Sequence, residues 1–284
     1  MIHHKGKIAL MLLLPTFAYL IVFIFYPLVD TCLLAFSNPA GPLENFRRII
    51  TSGEFWKTLR NTLVITGIVV PLQLILGLAL AIFVNLRFKG YLFILYIIAI
   101  PLALSDVSAA LMSYSIFAST GFLNKLLMAW GWIERPLYFF GFRFQDRAFW
   151  VIVITEVWRA TPLVFIILLA GLQAVNKEYL EAANVFGFSP WQKLWKIVLP
   201  ILRPSILSAL LIRTIFAFQV FGVFWILAGR DIPVLAGEAY YWQTVVYNSN
   251  ISSAYGLIIA VVTILISWAY ITFLKPKSFE EEAV

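Results

Sequence analysis

A chain of 284 residues that is 62% hydrophobic and only 12% charged is not a soluble domain, in which roughly a quarter of residues carry charge. Its net charge of +7 would suit nucleic acid in a soluble protein, but the basic residues are scattered over loops at the ends of apolar stretches, so membrane topology explains them and no nucleic-acid partner is expected. The single cysteine, Cys32, excludes an internal disulfide, has no zinc spacing around it and reads as core packing.

About six stretches approach the roughly 20 residues that cross a bilayer: Ile8 to Leu34, Leu59 to Leu86, Tyr91 to Phe117, Phe149 to Gln173, Ser205 to Ala228 and Ala254 to Leu274. Lipid cannot satisfy backbone polar groups, so each is most simply a helix and the chain an all-α polytopic bundle, one membrane domain over 1–284. The first span follows a charged start and runs too far for the core of a cleavable signal, so it reads as retained and bent at Pro15 and Pro27. Next come a Pro-Ala-Gly-Pro turn at 39–42 and an amphipathic helix, Leu43 to Ile50, on the outer surface. In the third span Pro101 precedes Ser105, Asp106, Val107 and Ser108, which predicts a broken or water-facing segment; Ser105, Asp106 and Ser108 either wall a cavity or contact another helix. The aromatic-rich loop 118–148 suits the headgroup level, and the loop 229–253, with Tyr240, Tyr241 and Trp242, suits an outside partner.

The polar segment between the fourth and fifth spans, coupling-type over 174–204, includes EYLEAANVFGFSPWQKLWKIVLPILRP from Glu178 to Pro204. Asn176 can cap a helix on which Tyr179, Ala182, Ala183 and Phe186 recur at i, i+3, i+4 and i+7 as one apolar stripe. Gly187 ends that helix, since glycine tolerates the left-handed conformation of a helix terminus. Ser189, Pro190 and Gln192 restart the chain as cap, first helical residue and capping-box partner. Pro200 then breaks the pattern again. Two alanines flanked by aromatics suit a knob that enters a groove on another protein.

No G-x4-G-K-[ST] phosphate cradle, H-E-x-x-H or G-x-S-x-G is present, so catalysis by this chain is not expected. Ionisable residues inside spans are costly and mark functional candidates: Asp30, Asp106, Glu156, Arg159 and Arg213. Asp30 lies near a span end. Glu156 and Arg159, three apart on one helix face, can neutralise each other, a structural ion pair favoured over a solute-contacting role. Arg213 shares a helical stripe with Phe216, Ala217, Val220 and Phe224, a charged donor beside aromatics that could line a solute path for a sugar, while Gln219 points to a different face. Packing against neighbouring helices would use the same aromatics.

The spacing E-A-A-x3-G-x9-I-x-L-P, carried by Glu181, Ala182, Ala183, Gly187, Ile197, Leu199 and Pro200, resembles the cytoplasmic coupling loop of ABC importer permeases. The resemblance extends to the maltose-type sugar-importer group through LLLPTFAYLIVFIFYP, FWKTLRNTLVITGIVVPLQLILGLALAIF, GFLNKLLMAWG and ATPLVFIILLAGLQAVNKEYLEAA. It implies a type I ABC importer fold, a second homologous permease subunit, a dimer of ABC ATPase subunits holding ATP and Mg, an extracytoplasmic sugar-binding protein and no cofactor on this chain. It also implies a prokaryotic plasma (inner) membrane, contact with membrane lipid and both termini cytoplasmic, an orientation that the nearly even split of basic residues favours only through density in short loops. Tyr179, Glu181, Ala182, Ala183, Gly187, Ser189, Leu199 and Pro200 then form the ATPase-coupling set. The chain departs from the family in having Phe186 and Phe188 around the coupling glycine and AGRDIPVLAGEAYYW after the fifth span. A permease for glycerol-phosphate or another polyol derivative is the nearest rival, and a non-conducting anchor or sensor for an ATPase is the alternative of another class.

Overall fold

The computed structural model describes residues 12–274, and helices are its only regular elements there. In chain order these are α1 (Leu12–Phe36), α2 (Glu44–Ile50), α3 (Gly53–Asn85), α4 (Tyr91–Ala99), α5 (Asp106–Phe117), α6 (Phe122–Ala129) and α7 (Gln145–Gln173). There follow α8 (Lys177–Val185), α9 (Pro190–Phe218), α10 (Gly222–Leu227), α11 (Leu235–Thr244) and α12 (Ser249–Leu274). Five helices are long and apolar enough to cross a membrane, or six if α4 and α5 form one broken span.

Two expected boundaries move. The fifth span neither starts at Ser205 nor reaches Ala228: α9 runs 29 residues from Pro190 to Phe218, and the chain breaks at Gln219 before restarting as α10. Pro200 does not break the helix, because a π turn over Leu194–Val198 lies just before it and hands the Leu199 N–H to the Leu194 carbonyl. In a regular helix the proline ring meets the carbonyl four residues back, and a widened turn relieves that clash. The same device recurs in α1, where a π turn at Ile21–Phe25 precedes Tyr26 and Pro27. The expected break near Pro101 is present: the chain passes through a 3₁₀ turn at Ile100–Ala103, and the helices on either side diverge by 101°.

The chain divides into two compact units, one from the described residues up to Trp56 with Glu238–Ala260, the other from Lys57–Gly237 with the residues from Val261 onward. In the first, the turn at 39–42 returns the chain so that buried Asn45 donates to the carbonyls of Ala35 (2.9 Å) and Ser37 (3.2 Å) and accepts from Asn38. Asn250 also donates to the Ser37 carbonyl.

In the second unit α7 is the central helix, with two separate apolar cores along its length. Val151, Ile152 and Val153 pack with Ile65, Val69, Val223 and Phe224 in one; Val164, Phe165, Leu168 and Leu172 pack with Ala81, Val84, Leu202 and Ala209 in the other. The residues between, 155–161 on α7, carry the polar side chains. Glycines allow close helix approach, as small residues do in membrane interfaces. A Cβ on Gly171 would fall 2.3 Å from Ser205 Oγ and 2.9 Å from Leu202 Cδ2, and one on Gly77 would fall 2.8 Å from Val164 Cγ1. Gly171→Val is therefore expected to force α7 and α9 apart at an overpacking cost of about 1–3 kcal/mol. A lowered thermal midpoint in detergent should report it, while Gly67→Ala, whose Cβ meets nothing within 4 Å, leaves the midpoint unchanged or raised.

Candidate functional site

The polar layer is built from four helices. Glu156, 1% exposed on α7, places its carboxylate under Arg159 one turn on, which donates to it from Nη2 (3.0 and 3.2 Å) and Nε (3.3 Å). The other terminal nitrogen of Arg159, Nη1, lies 2.8 Å from Asp106 Oδ1, at the first turn of α5. From α9, Arg213 donates Nε to Gln73 Oε1 of α3 at 2.7 Å, and Gln73 Nε2 donates to the Glu156 backbone carbonyl at 2.8 Å. Arg213 Nη2 stops 3.9 Å from Glu156 Oε2 and has no hydrogen-bond partner among the described residues. Two acids and two arginines thus balance, which is what a hydrocarbon surrounding demands of buried charge.

Beside this layer lies a cavity of about 310 Å³ lined by Leu102, Asp106, Arg159, Ala160, Leu163, Arg213, Phe216, Gln219 and Val220. That is at the small end of the roughly 300–1,000 Å³ range of small-molecule sites. Asp106, Arg213, Phe216 and Val220 line it. Ser105 and Ser108 do not: the Ser105 hydroxyl caps α5 by accepting from the Ser108 N–H (3.1 Å), and the two hydroxyls bond each other. Ala217 is buried outside the cavity wall, and Phe224 sits in the apolar core on α10. The single stripe from Arg213 to Phe224 is corrected by the break at Gln219, which also swings Gln219 into the cavity it was expected to face away from. Sequence reasoning did not place Arg159 in the cavity wall and overlooked Gln73. The usable signal was an amide inside an apolar span, which by cost alone must face protein.

The second site is the loop from Ala174 to Pro204. Asn176 caps α8 by accepting from the Glu178 N–H (3.0 Å). The helix ends in a Schellman motif: Gly187 adopts φ +72°, its N–H bonds the Asn184 carbonyl, and the Phe188 N–H bonds that of Ala183. Ser189 and Gln192 form the expected capping box, and Lys193 donates to the Asn184 side chain across the turn. Lys196 lies 5.5 Å from the Phe188 ring. Tyr179, Glu181, Ala182 and Phe186 are exposed, and Val185 joins them at 87% exposure. Ala183 leaves the expected stripe: it is buried, since it and Leu180 face the chain's own helices. Leu199 and Pro200 line a shallow groove with Trp195, Arg203, Ile206 and Leu274.

These features define a polytopic membrane permease with the type I ABC importer fold. The fold matches that of a bacterial ABC transporter involved in the import of the acidic polysaccharide alginate, with a TM-score of 0.82 at 22% identity over 96% of both chains. The family model for binding-protein-dependent transport system inner membrane components matches residues 73–275, and the chain belongs to that family of multi-pass ABC permeases, which are not themselves enzymes. A trehalose/maltose transport system permease of Thermococcus litoralis is 32% identical over 241 residues, 80% of this chain and 79% of the relative. A trehalose transport system permease of Mycobacterium tuberculosis is 32% identical over 235 residues, 79% and 74% of the two chains.

Proposed function

We propose that this chain is a permease subunit of an importer for an uncharged sugar, and the observation that carries the substrate class is the charge balance at the cavity. Asp106 and Glu156 offset Arg159 and Arg213, so the wall offers acceptors, donors and the half-exposed Phe216 ring without a net field. A sugar needs that combination, hydroxyls to be bonded and a ring face to be stacked. Glycerol-phosphate would need an uncompensated cation, and what the described residues offer toward that reading is the unbonded Arg213 Nη2. The names of the trehalose and maltose relatives support the same class.

The chain pairs with a second permease, receives solute from an extracytoplasmic sugar-binding protein, and sets its coupling loop against a dimer of ATPase subunits that hold ATP and Mg, with no cofactor of its own. Both termini are cytoplasmic in a prokaryotic plasma membrane, which puts the exposed face of α8, Tyr179, Ala182, Val185 and Phe186, on the ATPase side. The pair of capped helices supports this, because a rigid turn with an exposed apolar knob suits helix-in-groove docking. A mere anchor or sensor has no use for a charged cavity between helices.

The assembled complex in proteoliposomes is expected to take up a neutral sugar and not glycerol-phosphate, with Phe216→Ala lowering uptake about tenfold through the lost stacking face. ATP-dependent uptake of glycerol-phosphate alone would move the assignment to the rival solute, and counterflow of no solute would leave the anchor reading.

A further inference from the structure

We infer that Glu156 is shared between two guanidinium groups and reports solute occupancy to the coupling loop, with Asp106 and Arg159 as the pair that touches solute. This rests on the import reading above. Exposure falls in order from the cavity inward: the Asp106 side chain is 37% exposed, Arg159 15%, Arg213 3% and Glu156 1%. A solute therefore meets the Asp106–Arg159 pair first. A carboxylate and a guanidinium side by side accept from one hydroxyl and donate to its neighbour, so two adjacent hydroxyls of a sugar can replace their mutual bond.

Behind that pair, Glu156 has two claimants. In this structure its carboxylate is engaged by Arg159, while Arg213 Nη2 waits unbonded at 3.9 Å. Ordinary hydrogen bonds are about 2.9 Å, so a shift of roughly 1 Å transfers the carboxylate to Arg213. Arg213 is already oriented, because Gln73 holds its Nε from the other side and is itself fixed on the Glu156 carbonyl. When solute draws Arg159 outward, Glu156 gains Arg213, and a tie between α7 and α5 becomes a tie between α7 and α9. The chain is continuous from there to the loop: α9 runs unbroken from Arg213 back to Pro190, directly after the Ser189 cap. Two discrete arrangements of one carboxylate are the kind of element that can carry coupling between sites.

A Cβ on Gly222, at the start of α10, would lie 3.0 Å from Asp106 Cβ. Gly222→Ala therefore displaces Asp106 by a few tenths of an ångström relative to Arg159, with every charge in place.

The test uses the assembled transporter in proteoliposomes, with uptake and solute-stimulated ATP hydrolysis measured for wild type, Glu156→Gln and Gly222→Ala. Glu156→Gln is expected to keep half-saturation within about threefold of wild type while losing the solute-stimulated part of ATP hydrolysis by about tenfold or more. Gly222→Ala is expected to raise half-saturation about tenfold without lowering the maximal rate. Coupled, wild-type behaviour of Glu156→Gln overturns the relay alone, and an inert wild type overturns it together with the import reading. Should Glu156→Gln lower the yield of assembled complex, Gly222→Ala decides, since wild-type half-saturation there overturns the solute-contacting pair.

Discussion

Glu156→Leu is expected to lower the stability of the folded chain sharply, and adding Arg213→Met is expected to restore part of it. Removing the carboxylate alone leaves Arg213, 2% exposed, with only the neutral Gln73 as partner. Breaking a buried ion pair by deleting one partner costs about 3–5 kcal/mol, a large part of the roughly 5–15 kcal/mol by which a protein is stable. The double variant removes one charge of each sign and leaves Asp106 with Arg159, still balanced at 2.8 Å. Its remaining costs are the Gln73 side-chain carbonyl that loses its donor and the Arg159 Nε and Nη2 that lose the carboxylate, about 1–3 kcal/mol for each group left unpaired. Thermal midpoints of the detergent-purified chain separate the two: a double variant no more stable than Glu156→Leu would show that charge balance is not what holds the layer together. The double variant should nonetheless lack solute-stimulated ATP hydrolysis, since the carboxylate that changes partners is gone.

What the sequence made legible was what local chemistry decides. The Asn176 cap, the Gly187 stop and the Ser189–Gln192 capping box depend on residues within five positions of one another, and all three are present. The break around Pro101 was likewise announced by the proline and the polar residues Ser105, Asp106 and Ser108 that follow it. Tertiary features were not legible. Gln73 and Arg213 meet across 140 residues, and nothing near either signals the other. Ala183 and Ala182 are equivalent in the sequence pattern, and only the packing of α8 on its own chain decides which is buried. The end of α9 falls in an apolar run interrupted by one amide, IFAFQVFGVFWIL, so hydropathy carried the span past Gln219. Pro200 misled in the opposite direction, because a breaker in a regular helix is tolerated after a π turn.

Gly187→Val is expected to uncouple the transporter while leaving the membrane part intact, and Gly187→Asn to behave nearly as wild type. A Cβ at Gly187 meets no atom within 4 Å, so neither variant introduces a clash inside the chain, and what distinguishes them is the backbone at φ +72°. A β-branched residue in that conformation costs about 1–3 kcal/mol, whereas asparagine visits it readily. The strain is relieved by opening the Schellman turn, which releases the Gly187 and Phe188 N–H bonds to Asn184 and Ala183 and the Lys193 contact across the turn. The angle between α8 and α9 is then no longer fixed, and in the proposed assembly the motion of an ATPase docked on Tyr179, Ala182, Val185 and Phe186 would be absorbed by the turn instead of being passed to α9. Solute-stimulated ATP hydrolysis should fall about tenfold in Gly187→Val, with the thermal midpoint of the purified chain close to wild type because the turn lies outside both apolar cores. Equal loss in Gly187→Asn and Gly187→Val would mean that the exposed face at this position requires the absence of any side chain, which places the groove wall of the partner against Gly187 itself rather than against the apolar residues of α8.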